Sequence, residues 1–258
     1  MSNLPSMVWV EWRKAARSRV PVWTALASLF MPAGVALLIF LARNPELTEK
    51  LGVVSAKADL VAYSATDWAS YLVLFGQIVA MGAFFFFVLA ISWVFGREFA
   101  DGTLKDMLAV PVPRASILLA KFVVVAAWAA LITVLIAVFG LLVGLALQLP
   151  GGSPQVILQG FRATVVTACL AIAGVLPFAL LASAGRGYLL PMGAAVLVLI
   201  TANLVVILGW GEYFPWAVPM LYAQGESALT PVSYWIVFST SLAGMAATYL
   251  WWQRADLP

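Results

Sequence analysis

The sequence predicts an all-α integral membrane protein with six transmembrane helices, and three observations carry that prediction. Of its 258 residues 64% are apolar and only 10% charged, far below the roughly 25% charged residues of soluble domains. The apolar residues fall in runs of the length a helix needs to cross ~30 Å of hydrocarbon, at about 20–41, 71–95, 122–147, 163–183, 188–210 and 232–252. None of these runs contains Asp, Glu, Lys, Arg or His. Six spans with connecting loops leave no room for a large soluble domain, so residues 1–258 read as one membrane domain.

Ahead of the first span, Leu4, Met7, Val8, Trp12 and Ala15 recur at helical spacing, with Arg13, Lys14 and Arg17 towards another side. That pattern fits a helix lying in the interface; a basic flank to the first span is the alternative. The first span has Pro21 near its start and Pro32 placed to kink it. It is too long and too late for a signal peptide, and no small-residue cleavage pattern follows.

Residues 43–70 form a polar connection with room for a short helix. The second span carries Gln77 and the Phe84–Phe87 cluster. In the third, Gly140 and Gly144 form a GxxxG pair that admits a neighbouring backbone. Residues 150–154, Pro-Gly-Gly-Ser-Pro, make an outer turn, the fourth span contains Pro177, and Gly185-Arg186-Gly187 makes a tight inner turn. Residues 211–231 are too apolar for an ordinary loop and too short for a span and its return. With Pro215, Pro219 and several aromatic residues they suit either re-entry or an aromatic surface anchor.

The charged interval between the second and third apolar runs is the elbow 96–121, GREFADGTLKDMLAVPVPRASILLAK. Glu98 follows the second span at a helix C-terminus, where the dipole disfavours an acid. It therefore answers to a partner beyond its own helix, unless it forms a solvated pair with Arg97 or Lys105. Asp101-Gly102 supplies a turn. Thr103 and Asp106 have capping-box spacing for a short helix over 104–109, which Pro111 stops. That helix presents Leu104, Met107 and Leu108 together, and six residues are too few to bury such a face alone. Pro113 suits the first position of the next helix. Arg114 and Lys121, seven apart, share one side of it, and with Arg13, Lys14 and Arg17 they are placed to reach lipid phosphates.

The charge of +3 would hint at nucleic acid in a soluble protein, but here anionic lipid explains it, so no nucleic-acid partner is expected. With the N-terminus inside, ten of the 14 Lys and Arg lie on the cytoplasmic side: Arg13, Lys14, Arg17, Arg19, Arg97, Lys105, Arg114, Lys121, Arg186 and Arg254. Only Arg43, Lys50, Lys57 and Arg162 lie outside, which places both termini and the elbow in the cytoplasm. Spans without ionisable groups argue against proton or sodium coupling and against intramembrane catalysis. Gln77 and Asn203, the most polar groups deep in the spans, are expected to face the bundle or a pathway. The chain has no histidine and one cysteine, Cys169, which excludes an internal disulfide and the usual metal sites and reads as inert packing. No G-x-x-x-x-G-K-[ST] loop is present to cradle ATP, so no catalytic, cofactor-binding or metal residues are assigned and energy must come from another chain.

The elbow also carries a family resemblance. Gly96-Arg97-Glu98 with Gly102-Thr103, then Leu108, Pro111, Arg114 and Leu119-Ala120-Lys121, resembles the loop between the second and third membrane helices of type-2 ATP-binding-cassette (ABC) transporter permeases. Within that family the opening EWRKAARSRVPVWT, with VFGRE and VPRASILLAKF, is most similar to permeases of bacitracin and lantibiotic export systems. The resemblance covers nearly the whole chain, although only the elbow is specific.

The resemblance implies a bacterial cytoplasmic-membrane permease without its own ATPase. Two ABC ATPase subunits, holding the ATP and Mg, would dock on the elbow, and a second permease copy would complete a homodimer. It makes the 104–109 segment a coupling helix, with Glu98, Gly102, Thr103, Leu104, Met107 and Leu108 transmitting ATPase closure, and 211–231 a re-entrant hairpin. The cargo would be hydrophobic or amphipathic: a peptide antibiotic, a drug or a lipid-like molecule. A non-transporting membrane anchor or sensor that recruits a cytoplasmic partner through the same elbow is the alternative. ATPase activity stimulated by cargo discriminates the two.

Overall fold

The structure is a computed structural model that describes residues 4–44, 67–109, 111–225 and 229–254, without the side chains of Ala42, Asp106 and Leu108. The short helix expected within 43–70 falls largely outside the described residues. Every regular element among the described residues is helical. Helix α1 (Leu4–Arg17) precedes a first span made of α2 (Val20–Ser28) and α3 (Phe30–Arg43). The second span is α4 (Trp68–Ile78), a π-helical turn (Val79–Ala83) and α5 (Phe84–Ala100). The elbow helix α6 (Leu104–Ala109) leads into α7 (Arg114–Ala146). Then follow α8 (Pro154–Val175), α9 (Phe178–Ala184), α10 (Leu189–Ile207), α11 (Val218–Gln224) and α12 (Pro231–Arg254).

Five helical stretches among the described residues are long and apolar enough to cross a membrane: 20–41, 68–100, 114–146, 154–184 and 189–207. The stretch expected as a sixth span is helical, as α12, 24 residues long and thus about 36 Å at 1.5 Å per residue, but it is not among those five. Ser233, Ser239, Thr240, Ser241 and Thr248 make it less apolar than the other five.

Local chemistry explains the breaks. Pro32 cannot donate to the carbonyl of Ser28 and its ring crowds that group, so the first span interrupts at Leu29 rather than bending at the proline itself. Pro177 separates α8 from α9 for the same reason. Asp67 caps α4 reciprocally with Ser70: the Ser70 N–H donates to the carboxylate at 2.8 Å and the Asp67 N–H to the hydroxyl at 3.2 Å. The Asp67 carboxyl is held below its ordinary pKa first by the Ser70 backbone N–H and second by the Ser70 hydroxyl, which donates to Asp67 Oδ1 at 2.7 Å. Helix α8 begins nine residues before the expected 163, because Ser153 caps it by accepting from the Val156 N–H at 3.3 Å and Pro154 occupies the first turn. Pro113 serves as the N-cap of α7 rather than its first residue.

The core runs along the second and third spans, with Tyr71, Phe75, Phe87, Ile91, Phe95, Ile132 and Ile136 fully enclosed. Gly140 and Gly144 do not meet a neighbouring backbone. They receive aromatic side chains of α4: a Cβ on Gly140 would sit 2.3 Å from Phe75 Cζ, and one on Gly144 2.6 Å from Trp68 Cη2. The Tyr71 hydroxyl donates to the Gly140 carbonyl at 2.7 Å. The small-residue rule thus operates here between helix and ring.

A true backbone approach occurs elsewhere, where Gly96 of α5 lies against the Gly187 backbone. Helix α11 and a 3₁₀ turn (Gly211–Tyr213) fold back so that Ala217, Val218 and Leu221 are buried. Trp216 Nε1–H donates to the Gly174 carbonyl at 2.7 Å. Cys169, expected as inert packing, is exposed on the flank of α8 instead.

Candidate functional site

Three helices converge beneath the elbow and bring four charges into one buried cluster. Glu11 and Lys14 come from α1, Glu98 from the last turns of α5, and Lys121 from the third turn of α7. Glu98 is 1% exposed, Lys121 0% and Glu11 4%. The Lys121 ammonium donates to Glu98 Oε1 at 2.8 Å, to Glu11 Oε2 at 3.2 Å and to the Val94 carbonyl at 2.7 Å, which occupies all three of its protons. Lys14 donates to Glu11 Oε1 at 2.5 Å and to Glu98 Oε1 at 3.2 Å. Arg97 stacks over Trp93 at 4.7 Å, and its Nε lies 3.9 Å from Glu98 Oε1.

Burying charge costs several kcal/mol per ion unless each is paired and hydrogen-bonded. Here each of the four has an opposite partner. Glu98 sits where its own helix dipole repels it, and the partners it requires are Lys121 and Lys14, neither Arg97 alone nor Lys105. The arrangement therefore acts as a clamp. It fixes α1 and the start of α7 to the end of α5, immediately before the elbow.

The elbow turns on Gly102, whose φ of +69° suits glycine, with Asp101 N–H donating to the Arg97 carbonyl at 2.7 Å. The Met107 N–H donates to the Thr103 carbonyl at 3.2 Å, closing the first turn of α6. Leu104 was expected to lack a partner in this chain, yet it is 6% exposed, and Met107 packs half-buried against the same core. Leu104 and, in part, Met107 do bury against the bundle, which itself supplies their groove. The outward face is Asp101, Gly102, Thr103, Lys105 and Ala109. The side chain of Leu108, also expected on the docking face, lies outside the described residues.

Other elements meet at the same end. Arg114 donates to the Trp252 carbonyl near the end of α12, and the Trp252 indole donates to the Ser183 hydroxyl at 3.0 Å. Of the five cations expected at lipid phosphates, Arg13 (over Trp9 at 4.8 Å) and Arg17 are exposed. Lys121 is the clearest correction: it turns inward because two carboxylates and a carbonyl offer it better partners than the surface. Lys14 and Arg114 likewise bind protein groups. Gln77 is half-buried next to the π-helical turn, and Asn203 is half-buried with its amide donating to the Leu199 carbonyl of its own helix at 2.8 Å.

Glu11 was missed in the sequence. Its signal was an acid between Met7 and Ala15, at i−4 and i+4 on the apolar stripe of α1, where a solvated residue has no reason to be. Among the described residues no three His, Cys, Asp or Glu side chains converge to hold a metal ion.

The comparisons agree with this architecture. Residues 7–203 match the family described as ABC-2 family transporter protein, a match that contains the clamp, the elbow and four of the five apolar stretches and reaches most of the fifth. The bacitracin transport permease protein BCRB of Bacillus licheniformis is 27% identical to this chain over 169 residues, which cover 64% of this chain and 81% of that protein. With several apolar helices long enough to cross a membrane, the chain belongs to the ABC-2 transporter family as a multi-pass membrane subunit that is not itself a catalyst.

Proposed function

We propose that this chain is the permease subunit of an ATP-driven exporter that moves a hydrophobic or amphipathic molecule out of the cytoplasm or inner leaflet. A peptide antibiotic is the first cargo to test, since the relative is named for bacitracin transport; drugs and lipid-like molecules follow. In this reading the chain crosses the membrane six times with both termini in the cytoplasm, and 211–231 re-enters from the outer side. Two copies form the pathway, with Gln77 and Asn203 facing it. Two separate ABC ATPase subunits, which hold the ATP and Mg, act on the elbow.

The observation that carries the reading is the elbow's division of labour. Its inner face is locked to the bundle through Leu104, Met107 and the charge clamp. Its outer face, Asp101, Gly102, Thr103, Lys105 and Ala109, is exposed. A push on that face would therefore be delivered to α1, α5 and α7 together, as switching between two bundle arrangements requires. Glu98, Leu104 and Met107 then transmit force from inside, while Gly102 and Thr103 belong to the contacted surface.

The test is co-purification of the ATPase with the permease, followed by ATPase stimulation with bacitracin. Lys105→Glu reverses a charge on the outer face and is expected to weaken ATPase retention about fivefold, corresponding to ~1 kcal/mol. Arg162→Gln, exposed far from the elbow, should change nothing. Gly102→Ala forces a left-handed backbone at roughly 1 to 2 kcal/mol with no neighbour within 4 Å of the added carbon. It is expected to depress stimulated ATPase activity while lowering the bundle's unfolding midpoint by only about 2 to 8 °C. Normal ATPase retention and stimulation in both variants would remove the elbow from the coupling route. An ATPase that binds but responds to no cargo would favour the anchor reading.

A further inference from the structure

We propose that the cavity between α1, α5 and α7 is a binding site for an anionic phospholipid whose head group carries a hydroxyl, such as a phosphatidylglycerol. The cavity measures about 480 Å³ and the elbow also borders it: Met7, Val10, Met107, Val112 and Ile117 form its apolar wall, Lys14, Arg97 and Glu98 its charged floor, and Thr103 completes the lining. That volume lies within the ~300 to 1,000 Å³ range of small-molecule sites.

Two orphaned groups point to a ligand. Glu98 Oε1 gathers Lys121, Lys14 and Arg97, whereas Glu98 Oε2 is buried with no hydrogen-bond partner among the described residues. Arg97 Nε is likewise buried without a hydrogen-bond partner there. A bare carboxylate oxygen asks for a donor and a bare guanidinium nitrogen for an acceptor, since each unmet group carries a desolvation cost.

Charge decides the class. Three cations, Lys14, Arg97 and Lys121, face two carboxylates, Glu11 and Glu98, so the cluster holds one uncompensated positive charge. Glu98 also borders a smaller pocket with Lys105 and Arg186, which adds positive potential. A single phosphodiester balances the excess, and Lys14 and Arg97 are the partly exposed cations able to meet it. A hydroxyl on the head group can donate to Glu98 Oε2, and the acyl chains can follow the apolar wall.

A quaternary choline head group carries no such donor and leaves the net charge uncorrected. The inference rests on the proposed placement of α1 at the membrane surface, where head groups and acyl chains meet.

The experiment is native mass spectrometry of the full chain taken from mixed micelles holding equal amounts of phosphatidylglycerol, phosphatidylmethanol and phosphatidylcholine. Phosphatidylmethanol has the same phosphodiester charge without the hydroxyls. Retention of phosphatidylglycerol is expected to exceed phosphatidylcholine at least tenfold and phosphatidylmethanol severalfold. Val10→Phe, which fills the cavity without touching a charge, should reduce phosphatidylglycerol to the phosphatidylcholine level. If that variant does not fold, Arg97→Gln replaces it with the same expectation.

Equal retention of phosphatidylglycerol and phosphatidylmethanol would overturn the role of Glu98 Oε2. Unchanged retention in the variant would overturn the site. Displacement of the lipid by inorganic phosphate would show a simple anion site and overturn the lipid assignment. Transport is not the readout, so failure here leaves the exporter reading standing. Labelling of single cysteines along α1 by a membrane-impermeant reagent reports separately on its placement.

Discussion

Lys121→Met is expected to be among the most destabilising single substitutions in the bundle, costing about 3 to 5 kcal/mol, because it leaves buried carboxylates without their central cation. Glu98 would retain Lys14 and a distant Arg97, while Glu11 would keep only Lys14. The measurement is the unfolding midpoint of the detergent-purified chain. Glu98→Met should be severe for the complementary reason, since Lys121 would then hold only Glu11 Oε2 and the Val94 carbonyl.

The informative variant is the double one. Replacing a buried ion pair by apolar residues of similar volume is often close to neutral, so Glu98→Met with Lys121→Met should recover much of the loss. If the two single effects simply add, the groups are not coupled and the clamp is not what joins α5 to α7. The same pair bears on function: an intact but apolar junction should leave the permease folded with weakened cargo-stimulated ATPase activity.

Gly140→Ala is expected to cost roughly 1 to 3 kcal/mol through overpacking, although alanine is ordinarily the better helix former by about 1 kcal/mol. The new carbon would lie 2.3 Å from Phe75 Cζ and 2.7 Å from both neighbouring ring atoms. Phe75 is only 2% exposed and stacks on Tyr71 at 5.9 Å between centroids, so its ring has little freedom to retreat. Trimming the ring should relieve the clash. Gly140→Ala with Phe75→Leu should therefore be more stable than Gly140→Ala alone, whereas Phe75→Leu in the parent should be destabilising. A rise in the unfolding midpoint for Gly140→Ala by itself would show that the two positions do not meet.

The apolar runs alone determined most of the architecture, because a helix is the local answer to backbone groups that lack water. The elbow was equally legible: Gly102 at positive φ, a six-residue helix over 104–109 and its stop before the next helix are local matters of turn and proline chemistry. An acid at the wrong end of a helix also pointed Glu98 towards a distant partner, although a solvated pair with Arg97 or Lys105 stayed open.

Which partner it takes is a tertiary fact. Glu11 and Lys121 lie 110 residues apart, and nothing in local spacing distinguishes a lysine that snorkels to phosphate from one that turns inward to two carboxylates. Only the folding of α1 over the junction of α5 and α7 decided between them. The same holds for Leu104, whose groove lies in this bundle, and for Gly140, whose neighbour is a ring. A small residue or an apolar face declares that something approaches closely, whereas the identity of what approaches is fixed by how distant helices pack.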